Sequence, residues 1–311
     1  MRLDRIGIHR SVGDLFPPDR LDSAIQTSDI EVAIVDDETL EGCDAVVTLA
    51  YSSSFLGSEL NWIHSVQSGI DRFPLGELSA HDIVLTNSVG IHRTSVGETC
   101  VAYVVGLSRG IDRHLRNQVT HVWSRPGWDE LFTVADQTAC VIGLGTLGGG
   151  IAERLDALGM NVIGVRNSPE APPYVSDVYP PGELDIPLAE ARFVVLAVPL
   201  TPETTHLIDA DALSTMREDA FLINVARGGV VDQPALVAAI QSREIAGAAL
   251  DVFEDEPLPP ESPLWDLERV MITPHTAGLS SDYYRNVAEI VGENIVKLRT
   301  NQTPRNLVET P

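Results

Sequence analysis

A chain of 311 residues is long enough for two domains of ordinary size, and its 44% hydrophobic content is that of a globular protein. No apolar run approaches the ~18 residues of a membrane span. Asp and Glu total 45 against 21 for Lys and Arg, a formal charge of −24, which repels nucleic acid and anionic membranes and excludes both as expected partners.

The opening MRLDRIGIHRSVG has no apolar h-region and no small-residue cleavage site. It reads as a first strand, not a signal peptide, and places the protein in the cytoplasm. Short Val- and Ile-rich runs follow at EVAIV (31–35), DAVVTLA (44–50), NWIHSV (61–66) and DIVLTNS (82–88), separated by polar stretches. These predict strands alternating with helices. A long helix is expected over Thr94–Val122, with Ser95 and Glu98 in the spacing of a capping box. Cys43, Cys100 and Cys140 are far apart in apolar sequence, which predicts buried free thiols and no metal site.

A second strand–helix series runs through TACVIGLG (138–145), NVIGVR (161–166), FVVLAVPL (193–200), FLINVA (221–226), IAGAALDVF (245–253) and RVMITPH (269–275). Alternating βα units imply a parallel sheet covered on both faces. From Ser281 to Thr300, Val287, Ile290, Val291, Ile295 and Leu298 recur at helical spacing and predict an amphipathic helix that docks by one stripe.

Inside that series, a Val/Ile strand runs straight into Gly143-x-Gly145-x-x-Gly148, a helix pattern and a second strand. The first glycine permits a tight turn, the second lets a pyrophosphate approach the backbone, and the third lets helix and strand pack closely. The helix start then offers free N–H groups to phosphate. In this frame the motif predicts a dinucleotide site. An acid at the end of the second strand would favour the cofactor without a 2′-phosphate. Here Arg166 and Asn167 stand there instead. A planar cation suits a phosphate, so NADPH is expected to be preferred, with NADH secondary.

Arg227, Glu256 and His275 each fall just past an expected strand end, where open α/β sheets bind their ligands. A base, an acid and an imidazole could therefore converge. Reduction of a keto acid needs a hydride, a proton and stabilisation of a developing alkoxide. Histidine suits the proton, a neighbouring carboxylate favours its imidazolium form, and an arginine suits the carboxylate and carbonyl of the acid.

The motifs GLGTLG, VPLTPETTHLI, NVARGGVVD, ALDVFEDEPLP and PHTAG, in this order and spacing, resemble the D-2-hydroxyacid dehydrogenases over essentially the whole chain. The resemblance implies an α/β fold of two doubly wound parallel-sheet domains. A flavodoxin-like substrate domain (1–92 plus 281–311) would hold a Rossmann coenzyme domain (93–280) as an insertion. It implies reversible reduction of 2-keto acids to D-2-hydroxy acids, with His275 as proton donor, Glu256 its partner and Arg227 on the substrate. It implies cofactor contacts from Gly143, Gly145, Thr146, Leu147, Gly148, Arg166, Asn167, Val198, Pro199, Thr205, Val225, Ala226, Asp251 and Gly278. Asp251 is read as a nicotinamide contact or a cap. Ser68, Gly69 and Ile70, before Asp71, match the loop whose amides bind the substrate carboxylate. Tyr51, Ser52 and Ser53, near a strand end of the N-terminal domain, are read from their position as lining the side-chain pocket. The partner is a small 2-keto or 2-hydroxy acid, and the assembly a homodimer.

The family usually has an acid where Arg166 stands, so this chain departs from it at the cofactor. Two other readings fit the same scaffold: a non-catalytic dinucleotide sensor, or a relative acting on formate, phosphite or a phosphorylated hydroxy acid, although beyond Arg72 and Arg93 no basic cluster for a substrate phosphate is evident. The full Arg, Glu and His set argues against the sensor. Only one base of the chain is a lysine, Lys297. Acid excess with almost no lysine is expected of a halophilic member, because salt screens the self-repulsion.

Overall fold

The computed structural model describes residues 1–25, 29–70 and 72–309. Asp71, which flanks the expected substrate loop, lies outside them. The chain forms two compact units, residues 1–91 with 279–311 and residues 92–278. They change over one and two residues before the joins expected from sequence.

The first unit opens with β1 (Arg5–His9), α1 (Pro18–Ala24), β2 (Glu31–Val35), β3 (Ala45–Thr48), β4 (Trp62–Ser65), α2 (Leu75–Ala80) and β5 (Val84–Thr86). The strands pair in parallel in the order β2-β1-β3-β4-β5, the flavodoxin-like order. Alternation along each strand sends residues to two faces. Ala45, Val47 and Trp62 enter one core, and Val46, Ile63 and Leu85 enter the other with Phe55, Phe73 and Leu78. A sheet buried on both faces has no room for the polar side of an ordinary alternating strand, which is why these runs read as continuously apolar.

The second unit begins with α3 (Arg93–Ser108) and α4 (Ile111–Val119), where one long helix was expected. Gly110 breaks it by taking the left-handed conformation at φ 60°. The expected capping box is also absent. The helix starts at Arg93 after His92, without a side-chain cap, and the Ser95 hydroxyl donates to the Gly278 carbonyl at 3.1 Å. Then follow β6 (Thr138–Ile142), α5 (Thr146–Ala157), β7 (Asn161–Val165), β8 (Asp177–Tyr179), α6 (Asp185–Glu190), β9 (Phe193–Leu196), α7 (Ala210–Thr215), β10 (Phe221–Asn224), α8 (Gln233–Ser242), β11 (Gly247–Leu250) and β12 (Val270–Ile272). All seven strands are parallel, in the order β12-β11-β10-β9-β6-β7-β8. Residues such as Ile142, Val194 and Leu222 fill the core on one side of the sheet, and Val141, Val195 and Ile223 fill the other.

The last helix, α9 (Tyr283–Arg299), returns to the first unit. Its stripe of Val287, Val291, Ile295 and Leu298 is buried with Ile6, Ile8, Val47 and Trp62. The three cysteines are buried free thiols, and burial pushes the Cys140 thiol up to about 12. Among the described residues no helix is long and apolar enough to cross a membrane, and no cluster of His, Cys, Asp and Glu could hold a metal ion.

Candidate active site

Every segment of the second unit that carries an expected site residue leaves the sheet at the carboxyl end of a strand. In spatial order, His275 follows β12, Glu256 follows β11, Arg227 follows β10, Val198 and Pro199 follow β9, the glycine loop follows β6, and Arg166 follows β7. Parallel strands make this inevitable, because all seven chains leave the sheet along one rim.

At the β10–β12 end the side chains are paired. The His275 Nδ1 lies 2.8 Å from Glu256 Oε2, and the other carboxylate oxygen accepts the Phe253 N–H at 3.1 Å. Half-burial works to raise the Glu256 pKa, but the hydrogen bonds from His275 and Phe253, with the charges of His275 and Arg227, outweigh it and hold the carboxyl below its ordinary range. An ionised carboxylate has no proton to give, so Nδ1 of His275 is the donor. That leaves Nε2 as the nitrogen available for proton exchange. His275 itself sits in the left-handed region at φ 54°, sparsely populated by side-chain-bearing residues. Its N–H donates to the Asp251 carbonyl at 2.8 Å.

Asp251 is buried at 2% exposure and organises this turn. Its carboxylate accepts the Thr276 and Ala277 N–H groups at 2.8 and 2.9 Å and the Thr273 hydroxyl. Thr273 in turn meets the buried Tyr103 hydroxyl. These bonds are those of a cap on the His275 turn. Thr273 and Tyr103 are parts of the site that sequence reasoning missed. Tyr103 lies on α3, far away in sequence, and no local pattern links it to the turn.

Arg227 is half-buried, and its guanidinium donates to the Ala226 carbonyl at 2.7 Å. Asn224 fixes the loop from both sides, accepting the Ala226 N–H at 3.0 Å and donating to the Arg227 carbonyl at 3.0 Å. A Cβ on the next residue, Gly228, would stand 1.9 Å from the Phe253 carbonyl carbon. Only glycine lets the loop carrying Arg227 lie directly on the backbone that leads to Glu256.

The glycine loop has the shape a dinucleotide requires. Gly143 turns at φ 94°, and a Cβ there would meet the Ala197 carbonyl oxygen at 2.6 Å. A Cβ on Gly148 would overlap the Gly143 carbonyl oxygen at 1.7 Å, so the start of α5 rests on the strand end. Gly145, by contrast, is exposed, and a Cβ there would meet nothing within 4 Å. It caps α5, whose first N–H groups are open to an anion. The residues present therefore fit a nicotinamide dinucleotide. Thr146 is exposed and Leu147 half-buried beside them. The Thr205 hydroxyl donates to the Thr201 carbonyl at 2.8 Å, while Val225 and Ala226 are buried. Gly278 receives His92 Nδ1 on its carbonyl at 3.2 Å. At the β7 end, Arg166 is half-buried with its guanidinium on the Glu170 carbonyl at 3.2 Å, and Asn167 is exposed. Arg93 is engaged by Glu153 at 2.9 Å and the Tyr174 hydroxyl at 3.2 Å, while Arg72 is exposed.

Tyr51, Ser68, Gly69 and Ile70 belong to the first unit. Tyr51 packs edge-on against Phe55 and Phe73. The Ser68 hydroxyl donates to the Ser88 carbonyl, and the Asn87 amide donates to the Ser68 carbonyl at 2.9 Å.

Residues 101–277 match the family model described as "D-isomer specific 2-hydroxyacid dehydrogenase, NAD binding domain". The chain belongs to that family. It is 33% identical over 282 residues to a glyoxylate reductase of Korarchaeum cryptofilum, an alignment covering 87% of this chain and 84% of the relative. Among solved structures of the family, the D-isomer specific 2-hydroxyacid dehydrogenase of Xanthobacter autotrophicus Py2, in complex with NADPH and MES, is 29% identical with a TM-score of 0.84 over 99% of both chains. The NADPH-dependent glyoxylate/hydroxypyruvate reductase of Sinorhizobium meliloti, in complex with NADP and sulfate, is 25% identical with a TM-score of 0.83, covering 99% of this chain and 98% of that one. The family's general reaction, reduction of a keto acid by an oxidoreductase, therefore applies to this chain.

Proposed function

We propose that this enzyme reduces a small 2-keto acid to the D-2-hydroxy acid, with His275 as proton donor. The observation that carries the reading is the 2.8 Å Glu256–His275 pair one strand from Arg227. The bound nicotinamide supplies the hydride. Arg227 binds the carboxylate of the acid and draws charge from its carbonyl. The proton passes from His275 Nε2 to the carbonyl oxygen, and Glu256 keeps Nδ1 protonated throughout. Gly143, Gly145, Gly148 and the first turn of α5 would hold the pyrophosphate. Val198, Pro199, Thr205, Val225, Ala226 and Gly278 would line the rest of the cofactor site. The role of Ser68–Ile70 on the carboxylate rests on the family resemblance, and that of Tyr51 on its place near a strand end of the first unit.

Arg166 supports a preference for NADPH, since it offers a cation to a 2′-phosphate where an acid would repel one. The test is a panel of 2-keto acids, glyoxylate and hydroxypyruvate among them, assayed with NADPH and NADH at one salt concentration. Turnover of none of them would sink the reading, and a kcat/KM ratio favouring NADH would sink the cofactor assignment.

A homodimer is supported by the face around α4. Val119, Trp123 and Trp128 are 81%, 93% and 94% exposed, with Leu115 and Val122 above half. Exposed apolar groups clustered in this way mark an interaction surface. Residues 99–128 hold one acid, Asp112, in a chain of 45. On a molecule of charge −24, a stretch poor in acids reduces the repulsion that a second copy would meet. Trp123→Glu with Leu115→Glu should convert a dimer to a monomer in sedimentation. A wild type that sediments as a monomer would exclude this assembly. The same charge supports salt adaptation, and a melting temperature flat between ~0.2 M and ~3 M KCl would exclude it.

A further inference from the structure

His275 is not the histidine most tightly bound into the protein. His64, on β4, is wholly buried, as are Trp62, Ser65, Thr86 and Ser88 around it. The Trp62 indole N–H donates to Thr86 Oγ1 at 2.8 Å, and Thr86 Oγ1 also lies 2.8 Å from His64 Nδ1. His64 Nε2 lies 3.1 Å from Ser88 Oγ, which donates to the Ser65 carbonyl at 3.1 Å.

These contacts have one consistent set of directions. An indole N–H can only donate, so Thr86 accepts from Trp62, and His64 Nδ1 is the contact that can take its one hydrogen. From the other end, with the Ser88 hydrogen on the Ser65 carbonyl, His64 Nε2 is the donor to Ser88. Taken together, the two ends are satisfied by the neutral ring with its proton on Nε2. An added proton on Nδ1 would leave the buried Thr86 hydroxyl hydrogen without an acceptor among the described residues, which is costly. Burial acts in the same sense, lowering the His64 pKa to about 3.

The relay ends on a loop. Beyond the Ser65 carbonyl, Ser88 N–H donates to the Gln67 carbonyl at 3.0 Å, and the Ser88 carbonyl accepts the Ser68 hydroxyl at 3.3 Å. Asn87 adds its amide on the Ser68 carbonyl. Residues 87–88 thus grip the chain at 65, 67 and 68, directly before Gly69 and Ile70. We propose that His64 is a positioning residue: through Ser88 it fixes the 65–68 segment and so presents the amides of Ser68–Ile70 to the substrate carboxylate. This rests on the reading of that loop as the carboxylate site. Preorganised donors lose effect when their support loosens, even when the donors themselves remain.

The test uses two substitutions that each keep one half of the ring's bonding. His64→Gln retains a donor where Nε2 stands and so keeps the bond to Ser88. His64→Asn retains an acceptor where Nδ1 stands and loses Ser88. The expected result is a keto-acid KM raised about tenfold in His64→Asn and within about threefold of wild type in His64→Gln. NADPH affinity, titrated by fluorescence, should be alike in both, and so should the melting temperatures. Nitrogen-15 NMR of the imidazole should show the Nε2–H tautomer. Equal KM values in the two variants, or an Nδ1–H tautomer, would overturn the proposal. Gly69→Pro, which deletes one loop N–H, separates it from the reading beneath. If Gly69→Pro leaves the keto-acid KM unchanged, the loop does not bind the acid and both ideas fail. If Gly69→Pro raises KM and His64→Asn does not, the positioning role alone fails.

Discussion

The two ends of the second sheet's carboxyl rim are built to different tolerances. Past β10–β12, almost every polar atom is held. His275 is paired through Nδ1 and tied through its backbone, Asp251 caps the turn, and the Arg227 loop lies on bare backbone at Gly228. Past β7, the Arg166 guanidinium makes one hydrogen bond among the described residues, to a neighbouring carbonyl, and Asn167 beside it is exposed. The difference matches the roles proposed for the two ends. Proton transfer demands a preset geometry, because misplacement by an ångström is costly in rate. The proposed selection of a 2′-phosphate needs only charge of the right sign within reach, and a half-buried arginine with one local hydrogen bond could supply it.

The largest expected effect comes from breaking the held end. His275→Ala should lower kcat by about 10²-fold or more, the scale of acid–base catalysis, while NADPH still titrates with near wild-type affinity. Near wild-type turnover in that variant would mean that the proton comes from elsewhere. At the loose end the change should be smaller and of another kind. Arg166→Asp should swing the NADPH/NADH ratio of kcat/KM by about one to two decades toward NADH, with kcat on NADH largely kept. A ratio that does not move would remove Arg166 from cofactor choice.

The smallest effect sharpens the contrast within the held end. Glu256→Gln keeps an oxygen facing Nδ1 but removes its charge, and should cost about tenfold in kcat at neutral pH. Because the wild-type carboxyl is held below its ordinary 4.5, its charge is present above that value and is lost only as pH falls through the lowered pKa. Loss of wild-type activity through protonation of Glu256 itself should therefore be confined to pH below about 4.5. Identical pH profiles of kcat in the two enzymes would show that the Glu256 charge does not act on His275.

The strands, their parallel pairing and the strand-end positions of Arg227, Glu256 and His275 were legible because buried parallel strands write themselves as Val- and Ile-rich runs, with loops at fixed ends. The single helix expected over 94–122 was not correct, since Gly110 inside an otherwise helical pattern gives no sign that it will turn left-handed. Ser95 and Glu98 had the spacing of a capping box, but Ser95 found a better acceptor in Gly278, almost two hundred residues away. Tyr103, Thr273 and the His64 relay were invisible for the same reason. Their bonds join segments far apart in sequence, and hydroxyl groups in apolar runs look like ordinary strand or helix residues.

Gly228 has a consequence for anyone who wishes to alter this enzyme. With no space for even a methyl group against Phe253, it welds two consecutive strand-end loops into one inflexible block. A combinatorial library that varies 226–229 together should return glycine at 228 in nearly every folded clone, whatever acid is used for selection. Diversity placed there is spent on preserving a joint. The exposed segment after β7 has no such obligation, so altered cofactor use should be the readier trait to evolve and altered proton delivery the harder one.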